Sequence, residues 1–254
     1  MQVGISRISE TREQADEVLS ASRRHGFEGV QLKPSQYSEF IESPKIFEEH
    51  YGQLASLAQG GLVFYPGNDP ILWVEKVGKV LPFAAAVGAG HICLCSGVYS
   101  SGASNEEVKT TAEALTTLGR EARQLDLQIS IHNHVDSLVE TEEDIARLLE
   151  VLNPEVCGLT LDTAHAAKAG IEDVARLVER FQKHLLNVHL KDLTAEGEFC
   201  ALGQGVLAID PILEKLHAIG YDQWLIVDEE TKALDTEAAF KIAADYLKQR
   251  NILN

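Results

Sequence analysis

The sequence predicts a single (β/α)8 barrel of the TIM type spanning residues 1–254, and three observations carry that expectation. Short β-branched or apolar runs alternate with longer stretches of helical spacing eight times over, the pattern of a parallel sheet covered by helices. A chain of 254 residues is an ordinary length for one such barrel and leaves no remainder for a second domain. The glycine-rich phosphate loop that an open doubly wound sheet carries after its first strand is missing, because the chain reads ISRISE there.

The expected strands are QVGIS (2–6), GVQLK (29–33), LVFY (62–65), HICLC (91–95), LQISIH (127–132), GLTLD (158–162), LLNVHL (185–190) and WLIVD (224–228). Between the first two, SETREQADEVLSASRRHG reads as a helix starting at Ser9 and stopping on Gly26, a residue that tolerates the left-handed turn at a helix end. After the fourth strand, Val108, Ala112, Leu115, Leu118 and Ala122 recur every three or four residues and mark one buried helical face. After the fifth, TEEDIARLLEVLNP offers Thr141 as a cap, acids in the first turn and Pro154 as a stop.

Composition bounds the function. Hydrophobic residues make up 45% of the chain and charged ones 24%, enough apolar surface for a substantial core. A formal net charge of -17, from 39 acidic against 22 basic side chains, repels phosphate backbones and anionic lipid, so neither nucleic acid nor membrane is an expected partner. The first residues, MQVGISRISETREQADE, lack a basic segment followed by an apolar stretch, and no run reaches the ~20 apolar residues of a membrane span. A cytoplasmic enzyme is expected, with Cys93, Cys95, Cys157 and Cys200 as reduced thiols. The composition is equally compatible with a monomer and with a homo-oligomer.

In a barrel of this kind chemistry sits at the C-terminal ends of the strands, and the last four strands each place a titratable group there. These are His132, Asp162, His189 and Asp228, the last followed by Glu229 and Glu230. Alternate strand residues share a face, so all four can point inward from neighbouring strands. Two imidazoles and two carboxylates suit one divalent ion of the Mn, Co, Zn or Fe kind and are too nitrogen-rich for calcium. Two unpaired carboxylates at one buried point without a cation would be costly. By the same parity Lys33 shares a face with Gln31 and Lys191 with His189; with Arg7 after strand one they can bring positive charge to the mouth for substrate, or simply balance the carboxylates. His91 lies at the start of its strand, the opposite end.

The motifs HNHVDSLVETEEDIARLLE, LTLDTAHAAKAG, NVHLKD, ALGQGVLAID and GYDQWLIVDEE occur in order over residues 127–230. In them the whole chain resembles the xylose-isomerase-like TIM-barrel superfamily, the sugar-phosphate isomerase and epimerase group that also includes inosose dehydratases and apurinic endonucleases. The resemblance implies metal ligands at the ends of strands five to eight: Glu, Asp, His and Glu in the family. Here Asp162 and His189 match in type, and the last ligand falls on Asp228, with Glu229 as an alternative alignment. The strand-five Glu falls on His132, a departure that puts in doubt the paired carboxylates used by epimerases and is similar to the histidine-rich stretch of the inosose dehydratase branch. Gln31 likewise stands where many relatives carry Glu.

His134, past the strand end, is then expected to touch substrate or to brace a ligand, and His165, similar to a substrate-facing family position, to act as acid or base because its ordinary pKa is near neutral. With Lys191 these form the expected catalytic set; Lys33, Gln31, Arg7 and Glu230 form the expected substrate-binding set. The resemblance implies a metal-dependent isomerase or epimerase of a sugar or keto-polyol acting through an enediolate. A dehydratase of the inosose type is the alternative. An apurinic endonuclease is a poorer fit, because strands one to four end without Asp or Glu and no basic rim is evident; a barrel without catalysis is the remaining reading. SGVYSSGASNEE (96–107) and TAEGEFCALGQGVLAID (194–210) are the expected mobile covers, with Tyr99 and Phe199 suited to a sugar ring face.

Overall fold

Ten strands are present among residues 1–97 and 103–254, which the computed structural model describes. Eight are parallel: β1 (Gln2–Arg7), β2 (Gly29–Val30), β3 (Leu62–Gly67), β4 (His91–Ser96), β5 (Gln128–His132), β6 (Cys157–Asp162), β7 (Leu185–Leu190) and β10 (Trp224–Glu229). They follow one another in the order β2-β1-β10-β7-β6-β5-β4-β3, and a parallel bridge between Leu32 and Leu62 joins the two ends into a barrel. β8 (Asp192–Leu193) and β9 (Phe199–Cys200) make a small antiparallel ribbon above β7. Tyr99 lies outside the described residues, as does part of the segment after β4.

Helices pack around the barrel with their apolar faces inward. The first, Arg12–His25, begins three residues after Ser9: Thr11 caps it, its hydroxyl accepting the Gln14 N–H while the Gln14 side chain accepts the Thr11 N–H. It ends on Gly26 at φ 86 as expected. In the helix Asn105–Arg123 the five residues of the expected stripe are all buried, and Thr141 caps Glu142–Val151 through Asp144 N–H. Trp73, Phe47, Phe83, Leu115 and Phe240 are fully buried in the layer between strands and helices. No helix among the described residues is long and apolar enough to cross a membrane.

One irregularity places the site. β6 and β7 run with Leu159 beside Leu185, then slip so that Thr160 meets Asn187 and Asp162 meets His189. Without the extra residue, Leu186, Asp162 would lie opposite Val188 and the His189 ring would face away. Gly158 makes room for the slip, since a Cβ there would run into the Leu186 side chain and the His184 carbonyl. Gly158→Ala is expected to lower stability by about 1–3 kcal/mol through overpacking and to weaken metal binding by displacing His189, as read by urea unfolding and metal titration on the same preparation. Unchanged metal affinity in a destabilised variant would separate the slip from the site.

Candidate metal centre

His132, Asp162 and His189 converge at the C-terminal mouth of the barrel, all fully or nearly fully buried. His132 Nε2 stands 3.0 Å from His189 Nδ1 and 3.5 Å from Asp162 Oδ2, and His189 Nδ1 is 3.7 Å from that same oxygen. Ligands about 2.1 Å from one ion lie roughly 3.0–3.4 Å from each other in octahedral or tetrahedral coordination. The observed triangle nearly has those edges, so the residues fit a divalent cation.

Local structure frees the right atoms. Asp162 ends β6 and caps the helix Thr163–Lys168: its Oδ1 accepts the His165 N–H at 2.8 Å, while Oδ2 has no hydrogen-bond partner. The Asn133 amide holds that strand end, accepting the Asp162 N–H at 2.7 Å and donating to the Asp162 carbonyl. With the Gln31 oxygen 2.6 Å from His189 Nε2, that nitrogen carries the proton and Nδ1 keeps its lone pair for the cluster. Gln31 thus orients a candidate ligand, where substrate contact was expected.

Two lysines supply the charge. Lys33 Nζ lies 2.8 Å from Asp228 Oδ1, and Lys191 Nζ lies 2.8 Å from Asp228 Oδ2, 3.1 Å from Glu230 Oε2 and 3.8 Å from Asp162 Oδ2. Burial alone would raise the Asp162 carboxyl, but Lys191 and the imidazoles of His165, His132 and His189 hold it well below the usual range. Burial is likewise outweighed at Asp228, by Lys191 and Lys33. Both lysines, despite burial, are raised above the ordinary range by the carboxylates they face. The cluster of mutually close donors among the described residues consists of His132, Asp162 and His189; Asp228 is outside it, with Oδ2 3.8 Å from His189 Nδ1.

The other expected residues divide between the pocket and the frame. His134 and His165 stack at 3.7 Å between centroids, beside His132. Burial pushes His165 down to about 2; Asp162 opposes the shift, and His132 and Lys191 add to it. Burial thus favours the neutral ring at neutral pH. Arg7 bonds Glu229 Oε1 at 3.2 Å and the carbonyls of Thr231 and Leu234, so it clamps the segment after β10, and Glu229 answers it with a second bond to the Thr231 N–H. Neither faces the cluster, because Ser6 and Asp228 occupy the inward parity of those strand ends.

Asn133, Thr163 and Asp192 were not anticipated. Thr163 Oγ1 bridges β6 to β7 through the Lys191 N–H and carbonyl. Asp192 accepts four backbone N–H groups, from Leu193, Gly203, Gly205 and Leu207, so residues 203–207 of the expected cover are pinned. That loop holds Phe199 5.2 Å from the His165 ring, with Lys191 and Lys168 ammonium groups over its face. Their one sequence signal was place, each lying within two residues after the end of its strand. Below the cluster the interior stays polar: His91 Nε2 meets Ser130 Oγ, which meets Thr160 Oγ1.

The profile described as Xylose isomerase-like TIM barrel matches residues 19–250. The chain belongs to this family. Within it, the chain is 31% identical over 164 residues to an inosose dehydratase of Lacticaseibacillus casei, a match covering 56% of this chain and 54% of that protein. The chain thus spans about half the length of the curated relatives it matches. Among solved structures it is similar to the 3-keto-D-glucoside 4-epimerase of E. coli, with a TM-score of 0.76, 18% identity and coverage of 98% of this chain and 99% of that one. A zinc-bound IolI protein is similar at TM-score 0.75 and 16% identity, over 99% of this chain and 98% of that one. These two likenesses carry the fold.

Proposed function

We infer that the protein is a divalent-metal-dependent enzyme that removes a proton beside the carbonyl of a sugar or cyclic keto-polyol, and that it proceeds to dehydration of the inosose type. The observation carrying this is the convergence of His132 Nε2, Asp162 Oδ2 and His189 Nδ1 at coordination distances from one another. Epimerisation, the first expectation from sequence, needs two acid–base groups facing each other across the substrate. Here His132 replaces one carboxylate, and Asp228, in the other position, lies between two lysines. The likeness to inosose dehydratase supports the same choice.

His132, Asp162 and His189 would hold a divalent ion, which when bound would supply Lewis acidity for removal of a proton beside a ketone. His134 is placed to take that proton: its Nδ1–H donates to the Val135 carbonyl at 2.7 Å, leaving the Nε2 lone pair on a half-buried ring. His165 backs it as a stacked neutral ring. Lys191, protonated and close to the cluster, is the donor for a departing hydroxyl. Phe199 shields the His165 side from water.

Incubation of the full chain with Mn2+ and an inosose in D2O, followed by NMR, is expected to show deuterium at the carbon beside the carbonyl and loss of one water. A metal-loaded protein that does neither with inososes or ketoses contradicts the assignment; exchange with inversion and no water loss returns it to epimerase. His134→Gln is expected to lower kcat by about 10²–10⁴ with one metal per chain retained, read by steady-state kinetics beside metal analysis.

A further inference from the structure

In the family resemblance Asp228 occupies the place of a fourth ligand, yet each of its oxygens faces an ammonium group. Oδ1 faces Lys33 Nζ and Oδ2 faces Lys191 Nζ, each at 2.8 Å, and all three side chains are almost completely buried. The contacts are close but poorly directed: Lys191 Nζ and Asp228 Oδ1 have no hydrogen-bond partner, so the pairs hold by charge rather than by bond geometry. Lys191 Nζ reaches three carboxylates at once, from Asp228, Glu230 and Asp162, the position a bound cation would otherwise serve. Three carboxylates against two ammonium groups leave one negative charge in a buried space, a balance that lets the site fold before any ion arrives.

Resting on the reading that His132, Asp162 and His189 bind a divalent ion, we propose that Lys33 and Lys191 withhold Asp228 from that ion. The centre is then a three-ligand site, and the two ammonium groups set how tightly it holds metal. An ion bound there would keep positions open to substrate, as at a catalytic rather than a structural site. Ion affinity is sacrificed for that openness, since a fourth, anionic ligand would bind the ion more tightly and occupy one of the substrate's positions. Phe199, with its ring 4.3 Å from Lys191 Nζ, keeps that ammonium over the carboxylates.

The test is a competition titration of Zn2+ and Mn2+ against a chromophoric chelator, on the full chain, with no turnover required. Lys191→Met is expected to tighten Zn2+ binding about tenfold or more by releasing Asp228 as a ligand, and the gain is expected to shrink to about threefold or less when Asp228 is Asn. A gain of equal size in both backgrounds is mere relief of charge repulsion and overturns the proposal, as does no gain at all. Loss of binding in Asp228→Asn alone overturns it too, because Asp228 is then already a ligand. Lys33→Met, which frees the other oxygen, repeats the cycle should Lys191→Met not fold. Wild-type protein that binds neither ion removes the metal reading and this inference together, whereas binding without the coupled gain removes this inference alone.

Discussion

Asp162→Asn is expected to lower divalent-metal affinity at least roughly 100-fold, with activity falling to the metal-free level, while the fold survives. The separation is available because the two carboxylate oxygens do different jobs. Oδ1 caps the helix Thr163–Lys168, a role asparagine fills as well as aspartate. Oδ2 is the unpartnered atom in the triangle with His132 and His189. The substitution removes the anion and keeps the cap. Asp162→Ala removes both and is expected to cost about 1 kcal/mol more in stability from the lost cap. Metal content after dialysis, compared with thermal unfolding of the two variants, reads each part. One equivalent of metal retained by Asp162→Asn would show that the ion sits elsewhere.

Much of this site could be read in the sequence because strands have a period of two and their ends are marked. His132, Asp162 and His189 each end or nearly end an apolar run, and parity alone predicts that they share the inward face. The strand positions are similarly legible: LLNVHL is the observed β7 residue for residue. What parity does not contain is the slip between β6 and β7, which depends on Gly158 accommodating Leu186. Nor does type predict pairing. Lys33 and Lys191 were placed on the correct face, but their convergence on one carboxylate depends on strands far apart in sequence meeting around the barrel. Arg7 illustrates the opposite outcome, a cation at a strand end committed to Glu229 and two carbonyls. At His165 burial lowers the imidazole below the value its residue type suggests, an effect no sequence pattern contains.

Gly-x-Gly in ALGQGV belongs to a loop held by one side chain. Sequence composition marks the segment as mobile, whereas the structure ties it to a buried carboxylate. Asp192 is 1% exposed and accepts N–H groups from Leu193 at 2.9 Å, Gly203 and Gly205 at 3.0 Å, and Leu207 at 3.2 Å. The glycines are required by that geometry. A Cβ on Gly205 would collide with the Asp192 carboxylate and the Leu193 carbonyl, and Gly203, at φ +80, has the Tyr246 ring where its Cβ would go.

Asp192→Ala is therefore expected to destabilise the protein by about 3–5 kcal/mol, since a hydrogen bond to a charged group contributes roughly 1.5–3 kcal/mol and the four are not additive. The cost has a ceiling, because the loop can open and return its N–H groups to water once holding them dry costs more than ordering the loop. Asn is no rescue: one of its two positions is an NH2, which would face N–H donors where an acceptor is needed. Opening carries Phe199 away from His165 and Lys191, so KM is expected to rise as well. Hydrogen exchange across residues 194–208 reads the release directly, and urea unfolding reads its cost. Protection in Asp192→Ala equal to that of the native chain would mean that the ribbon of β8 and β9, rather than the carboxylate, holds the cover in place.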